Sequence, residues 1–170
     1  YQGKAKNAAA VEKILAVARS AASDRGWGVR EANVASASVS RGVAGKESKE
    51  KEYQGPPSGI VIYPHPMCEP VHIQFGTDLL MRDFVKTQFA GADVHVEVVG
   101  LLRKLRPLLA DLQVVDEGEY WETGDRARLA AQIATVNAMI ESIRKSRPGV
   151  KGTHQDRQWP HRRLDELKNA

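Results

Sequence analysis

The chain has 170 residues, a length that predicts one domain large enough to bury a core without stapling disulfides. Hydrophobic residues make up 42% and charged residues 27%, an ordinary composition for a globular protein, and no apolar run approaches the roughly 20 residues that span a bilayer. The net charge of +4 is uneven, because residues 144–170 hold eight Lys or Arg against three Asp or Glu, whereas 93–125 hold eight acids against three bases. Binding of nucleic acid or another polyanion is therefore expected through the C-terminal segment rather than through the body of the domain.

The first part of the chain predicts a helix, a strand and a long loop. Asn7 can cap a helix that continues to Ala22, because apolar side chains recur there at spacings of three and four. Residues 27–40 predict an extended strand of small side chains. Residues 41–58 combine Gly, Pro and a run of charges, which predicts a mobile surface loop.

Two short β runs, 59–63 and 71–75, are joined by a Pro-rich connection and predict an antiparallel hairpin. Strand alternation places Ile60 and Ile62 on the core face together with the apolar residues of the second run. The opposite face then carries His72, and His65 continues that side into the connection.

Two helices, a strand and a final helix are predicted in the second half. Asp78 can cap a helix to about Ala90, and Asp93 can cap the next one, which ends near Pro107. Residues 112–115 predict a strand. Thr123 or Asp125 then caps the helix with the clearest periodicity, whose apolar stripe comprises Leu129, Ile133, Val136, Ile140 and Ile143.

These elements predict an α+β fold with an antiparallel sheet of three to five strands and helices packed mainly on one face. The predicted domain covers 1–147, with the loop 41–58 inside it, and 148–170 form a basic C-terminal tail. A single cysteine, Cys68, rules out an internal disulfide, so we expect a cytoplasmic protein. No signal-peptide pattern is present in the sequence.

The hairpin connection contains the first candidate site. His65, Cys68 and His72 are side chains that bind zinc and related metals, although their spacing matches no standard metal motif. A nucleophilic Cys68 assisted by either histidine is the enzymatic variant. The alternative is a stiff surface turn, and we therefore expect no cofactor, with a divalent metal as the competing hypothesis.

The second candidate site is the acidic-aromatic segment, residues 116–125. Asp116, Glu117 and Glu119 could bind a hard cation or work as an acid/base pair, with Tyr120 and Trp121 beside them. Carboxylates that precede a helix also have a structural explanation, because they complement the positive end of the helix dipole. If the preceding strand joins the hairpin sheet, Asp116 and Glu119 would approach His65 or His95.

Two functions follow from these candidates. The first is a binding or regulatory domain that contacts a protein partner or small ligand through Glu117, Tyr120 and Trp121. The alternative is a metal-assisted or acid/base hydrolase that uses His65 or His72 with the carboxylates Asp116, Glu117 or Glu119. We expect no membrane partner. Nucleic acid is a candidate ligand of the basic residues 144–168, and a homodimer is the alternative to a monomer.

Overall fold

The computed structural model describes residues 1–32 and 58–146, which form six β-strands and four α-helices. The α+β class predicted from the sequence is confirmed. The strands are β1 Gln2–Ala5, β2 Gly28–Glu31, β3 Ser58–Tyr63, β4 Val71–Phe75, β5 Leu80–Arg82 and β6 Leu109–Gln113. The helices are α1 Ala8–Ser23, α2 Ala92–Leu105, α3 Tyr120–Thr123 and α4 Arg126–Ser146, with a 3-10 turn at Arg106–Leu108.

The six strands form two three-stranded sheets in which every neighbouring pair is antiparallel. One sheet has the order β5-β1-β6 and the other β2-β3-β4. A tight turn connects the two sheets, since the amide of Leu79 donates to the carbonyl of Gly76 at 2.8 Å before β5 begins. The sequence predicted one antiparallel sheet of three to five strands, and the structure has two antiparallel sheets of three strands each. Strand β6 lies in the sheet that does not contain the hairpin.

The hairpin and helix α1 form the centre of the core. Ile60 lies opposite Ile73, and Ile62 lies opposite Val71, as strand alternation predicted. All four side chains are fully buried, each burial being worth about 1.5–3 kcal/mol. Helix α1 covers them, and its predicted cap is confirmed because the side chain of Asn7 accepts from the amide of Ala10 at 2.8 Å.

The predicted helix from Asp78 to Ala90 is wrong. The carboxylate of Asp78 does accept a backbone amide, that of Leu80 at 3.1 Å, but it closes a turn rather than a helix. Leu79 has a left-handed backbone (φ 61°), which interrupts helical geometry, and Met81 is then fully buried within β5. Strand pairing with β1 has overridden the local helical pattern.

Helix α2 is present as predicted, although Gly91 rather than Asp93 occupies the cap position. Pro107 lies in the 3-10 turn that ends it. Strand β6 begins and ends earlier than the predicted 112–115, so Val115 follows the strand and is exposed.

Helix α4 is also present, and its predicted cap Asp125 accepts from the amide of Arg128 at 3.0 Å. Leu129 is buried where the helix begins, whereas Val136 and Ile143 are exposed. Helix α4 packs on α2 and α3, and Ile133 and Ile140 are half-buried further along it.

The predictions for 33–57 and for the basic tail 148–170 lie outside the described residues. Across the residues that the structure does describe, none of the helices combines the length and the apolar character needed to cross a membrane.

Candidate functional site

The acidic-aromatic segment begins with a tight turn after β6. The amide of Glu119 donates to the carbonyl of Asp116 at 3.0 Å, and Glu119 itself has a left-handed backbone (φ 55°). A Cβ atom at Gly118 would lie 2.5 Å from Cδ1 of Leu129, so a larger residue there would force the buried Leu129 side chain to move. The turn is thereby pressed against the start of α4, and it leads directly into α3.

Asp116 holds this turn together. Its carboxylate accepts the amides of Gly118 and Trp121, each at 2.8 Å, and lies 3.1 Å from Nε2 of His95. Burial of Asp116 tends to raise its pKa, but the hydrogen bonds from His95 and the two amides outweigh burial, so the pKa lies below its ordinary value. Asp116 is therefore an ionised structural anchor, and its oxygens are already engaged by protein donors.

His95 links the turn to a third segment of the chain. Its Nδ1 atom lies 2.7 Å from the hydroxyl of Thr87, a buried side chain in the loop after β5. A neutral ring satisfies both contacts if Nε2–H donates to Asp116 and the Thr87 hydroxyl donates to Nδ1. Thr87 was not identified from the sequence, where it falls within the wrongly predicted helix and no motif marks it.

The expected approach of Asp116 to His95 is thus present, although its predicted route is not. The predicted route required β6 to join the hairpin sheet, but β6 pairs with β1 instead. Helix α2, which carries His95, brings the imidazole to the turn. No hydrogen bond or ion pair in the described structure joins Asp116 to His65 or His72.

The aromatic side chains of the segment are held by Arg103 of α2. The guanidinium carbon lies 5.5 Å from the ring centre of Tyr120 and 5.6 Å from that of Trp121. The same group donates to the carbonyls of both residues, at 3.2 and 2.8 Å. Both rings remain half-buried, so each has a fixed orientation and an accessible face. No sequence signal marked Arg103 beyond its position two turns after His95 on α2.

The remaining acids of the segment divide into two groups. Glu119 pairs with Arg128, and Asp125 caps α4, so both stabilise the fold. Glu117 and Glu122 are exposed and form no hydrogen bond or ion pair with any described residue. The outer side of the segment therefore presents two exposed carboxylates, neither of them paired with a described residue, next to two aromatic rings.

The hairpin connection holds its candidate residues in separate contacts. His65 is exposed, and its Nδ1 accepts the amide of Met67 at 3.0 Å. Cys68 is half-buried and its thiol donates to the carbonyl of Glu69 at 3.1 Å. Burial, with a smaller effect from the charge of Glu69, raises the pKa of Cys68 to about 12, so the thiol stays protonated at neutral pH and is a poor nucleophile.

His72 belongs to a different histidine–carboxylate pair. Its Nδ1 atom contacts Oδ2 of Asp83, and Oδ1 of Asp83 accepts the amide of Phe84 at 2.7 Å. The His72 ring remains partly exposed and its Nε2 atom has no partner within the described part of the chain. Asp83 was missed because the sequence placed it on a helix.

No three or more His, Cys, Asp or Glu side chains within 1–32 and 58–146 converge in a way that could hold a metal ion. The candidate ligands His65, Cys68 and His72 each contact a different protein group. The metal, and the hydrolase that would use it with Asp116, Glu117 or Glu119, stay predictions of the sequence.

Comparison of the chain with protein-family models, with curated proteins and with solved structures gives no match in any of the three. The functional conclusion therefore rests on the geometry described above.

Proposed function

We propose that this chain is a binding module that recognises a positively charged segment of a partner protein through the acidic-aromatic segment. One observation carries the proposal. Asp116 and Arg103 fix the inner side of the turn, while Glu117 and Glu122 are exposed on the outer side beside two half-buried aromatic rings.

Rigidity of the turn favours recognition over a purely structural role for its outer face. A surface that is ordered before binding loses little conformational entropy when a partner docks. Tyr and Trp side chains are enriched at the energetic centres of protein interfaces, since they bury large areas with few rotatable bonds. The stacking of Tyr120 and Trp121 on Arg103 supplies such a surface.

The charge of the segment selects the class of partner. Residues 116–125 contain five acids and no Lys or Arg. A partner segment that carries Lys or Arg together with an apolar side chain complements both features, and its association is accelerated by the opposite charge. We expect the affinity to fall as salt concentration rises, because the Glu117 and Glu122 carboxylates are exposed and screened by ions.

A titration followed by NMR tests this function. The probe is a synthetic decapeptide of alternating Lys and Leu, added to the full chain with isotope-labelled amides and indoles. We expect shifts in the Trp121 indole and in the amides of 116–125. Glu122→Lys should weaken binding about threefold to tenfold by reversing one contact charge.

Glu12→Lys is the matched control, since Glu12 is an exposed acid of α1 with the same charge change. Equal weakening by both variants would indicate unspecific attraction, and shifts confined to other parts of the chain would exclude this surface.

The proposal includes two further expectations, one on cellular location and one on a second partner. The single cysteine supports a cytoplasmic location, because it cannot form an internal disulfide. Nucleic acid remains a second candidate partner for the basic residues 144–168, and it predicts a steep loss of affinity with salt.

A further inference from the structure

The three histidines within the described residues differ in which ring nitrogen their contacts leave available. In His95 both nitrogens are engaged, by the Thr87 hydroxyl and by the Asp116 carboxylate. In His65 the Nδ1 atom accepts the backbone amide of Met67, so the neutral ring carries its proton on Nε2. A ring nitrogen that carries a proton has no lone pair to donate, so neither side chain presents an unoccupied nucleophilic nitrogen.

His72 has the opposite tautomer to His65. Its Nδ1 atom contacts Oδ2 of Asp83, and a carboxylate can only accept, so Nδ1 carries the proton and Nε2 keeps the lone pair. The His72 ring is partly exposed, and its Nε2 atom has no partner within the described residues. Of these three histidines, His72 is therefore the one that presents a nucleophilic nitrogen to solvent.

Both members of the His72–Asp83 pair are anchored in the backbone of the two sheets. The Asp83 side chain is largely buried, and its second oxygen, Oδ1, accepts the amide of Phe84 at 2.7 Å. The backbone amide of Asp83 donates to the carbonyl of Tyr1 at 3.0 Å. His72 lies opposite Val61, a buried residue of β3. The carboxylate and the imidazole are thus held facing each other by structure on both sides.

A carboxylate bound to one nitrogen of an imidazole favours reactions that make the ring positive. When Nε2 forms a bond to an electrophile, the ring becomes cationic, and the carboxylate on Nδ1 stabilises that charge. The pair lacks further ligands for a metal ion, since no third His, Cys, Asp or Glu within 1–32 and 58–146 converges with it. The arrangement therefore favours covalent bonding at Nε2 over metal binding.

The segment after Asp83 adds an exposed ring and a cation. Phe84 is an exposed aromatic side chain, and the Lys86 ammonium lies 5.8 Å from its ring centre. No carboxylate of the described residues forms an ion pair with Lys86. An ammonium group near a nucleophile attracts phosphate groups and offsets their negative charge, so an anionic phosphoryl donor fits this surface better than a neutral electrophile.

We propose that Nε2 of His72 accepts a phosphoryl group from a small donor with an activated phosphoryl group, such as a phosphoramidate. The lone pair of Nε2 forms a bond to phosphorus while the bond between phosphorus and the leaving group breaks. From phosphoramidate the leaving group departs with that electron pair as neutral ammonia, because its nitrogen is already protonated. The ring keeps its proton on Nδ1 and becomes an imidazolium that faces Asp83. This site does not depend on the peptide-binding function proposed above.

Potassium phosphoramidate is the probe, added to the full chain at about pH 8, where neutral imidazole predominates. Peptide mapping by mass spectrometry measures the rate at each histidine, and phosphorus-31 NMR identifies the nitrogen that carries the phosphoryl group. We expect phosphorylation of His72 on Nε2 at least about tenfold faster than of His65 or His95. No phosphorylation of His72, or an equal rate at His65, would overturn the proposal.

Asp83→Asn tests the positioning role of the carboxylate, because asparagine has a similar size but no charge. Phosphorylation of His72 should slow about fivefold to tenfold, and circular dichroism establishes that the variant stays folded. Glu12→Gln is the matched control, since it removes the charge of an exposed acid on α1 and should leave the rate unchanged.

Nitrogen-15 NMR of the imidazole rings adds a readout that a merely structural role of Asp83 would not move. In the unsubstituted protein the ring proton should lie on Nδ1 of His72 and on Nε2 of His65. In Asp83→Asn the proton of His72 should shift toward Nε2. An unchanged phosphorylation rate in Asp83→Asn, or a proton on Nε2 of His72 in the unsubstituted protein, would overturn the proposal.

Discussion

Two histidine–carboxylate pairs occur in this molecule, and they differ in how completely their atoms are used. The side chains of His95 and Asp116 are 15% and 5% exposed, and those of His72 and Asp83 are 38% and 12% exposed. Both nitrogens of His95 have protein partners, and Asp116 accepts two backbone amides besides. His72 uses one nitrogen on Asp83, and its other nitrogen has no partner among the residues described.

His95 and Asp116 therefore belong to a structural network, whereas His72 is available at the surface. The His95–Asp116 pair, together with Thr87, joins three segments of the chain, namely the loop after β5, helix α2 and the acidic-aromatic segment. Removing one member leaves buried partners without hydrogen bonds, which is costly. The His72–Asp83 pair orients one imidazole at the surface, where water can replace a lost partner. Stability should therefore depend far more on the first pair.

The largest expected effect comes from Asp116→Ala. It removes the acceptor of the Gly118 and Trp121 amides and of His95, so we expect a loss of about 3 kcal/mol in the free energy of unfolding. Asp83→Ala is the matched variant in the other pair and should cost about 1 kcal/mol, since its histidine is partly solvated. Urea denaturation of both proteins measures the two costs. Equal losses would mean that the two pairs do not differ as described.

Lowering the pH should reduce the contribution of Asp116 to the stability of the fold. The pKa of Asp116 is lowered in the folded state, so its contribution to stability is fully present above the ordinary carboxyl pKa of about 3.9. That contribution is lost as the pH falls through the lowered pKa. The stability difference between the native protein and Asp116→Asn should thus be constant from about pH 7 to pH 5 and shrink below about pH 4. Denaturation at several pH values measures it, and a constant difference down to about pH 2 would contradict the assignment.

Arg103→Ala sharpens the comparison by loosening Tyr120 and Trp121 while leaving Asp116 in place. Loss of two carbonyl hydrogen bonds and the ring contacts should cost about 1–2 kcal/mol. The Trp121 ring should also become more mobile, which a shift and broadening of its assigned indole resonance would report. Lys104→Ala is the control, because Lys104 is an exposed neighbour outside this contact. An unchanged Trp121 resonance would show that Arg103 does not fix the ring.

The smallest expected effect on stability is that of His72→Ala, about 0.5–1 kcal/mol, because the pair is partly exposed. In the unsubstituted protein, the imidazole of His72 should nevertheless react faster than that of His95, since Nε2 of His72 is accessible. Diethyl pyrocarbonate followed by peptide mass mapping should modify His72 before His95. Modification of His95 first would reverse the assignment of buried and available histidines.

Much of the fold could be predicted, because its signals are local. The hairpin register follows from the alternation of Ile60 and Ile62, and the starts of α1 and α4 follow from Asn7 and Asp125. The error at 78–90 has a physical cause. A short strand at β5 is selected by pairing with β1, a residue stretch nearly 80 positions earlier, and local periodicity carries no information about that pairing.

Only part of the candidate site could be predicted, because composition is a local signal and the contacts of the site are not. The sequence identified the acidic-aromatic segment by composition alone. It did not identify Thr87 or Arg103, because each acts through a contact with a residue at least eight positions away. Nor could it assign different roles to the acids, since Asp116 and Glu117 are adjacent in sequence and only the first faces inward.

The sequence by itself determined the α+β class, the hairpin, three of the main helices and the opposite charges of 93–125 and 144–170, because each depends on periodicity, capping or composition within a short window. Only the tertiary structure decided that the strands divide into two sheets and that Asp116 pairs with His95. It also decided that the apolar stripe of α4 is buried at Leu129 but exposed at Val136 and Ile143. These features depend on which distant surfaces meet, and packing energy between them is not encoded in any single segment.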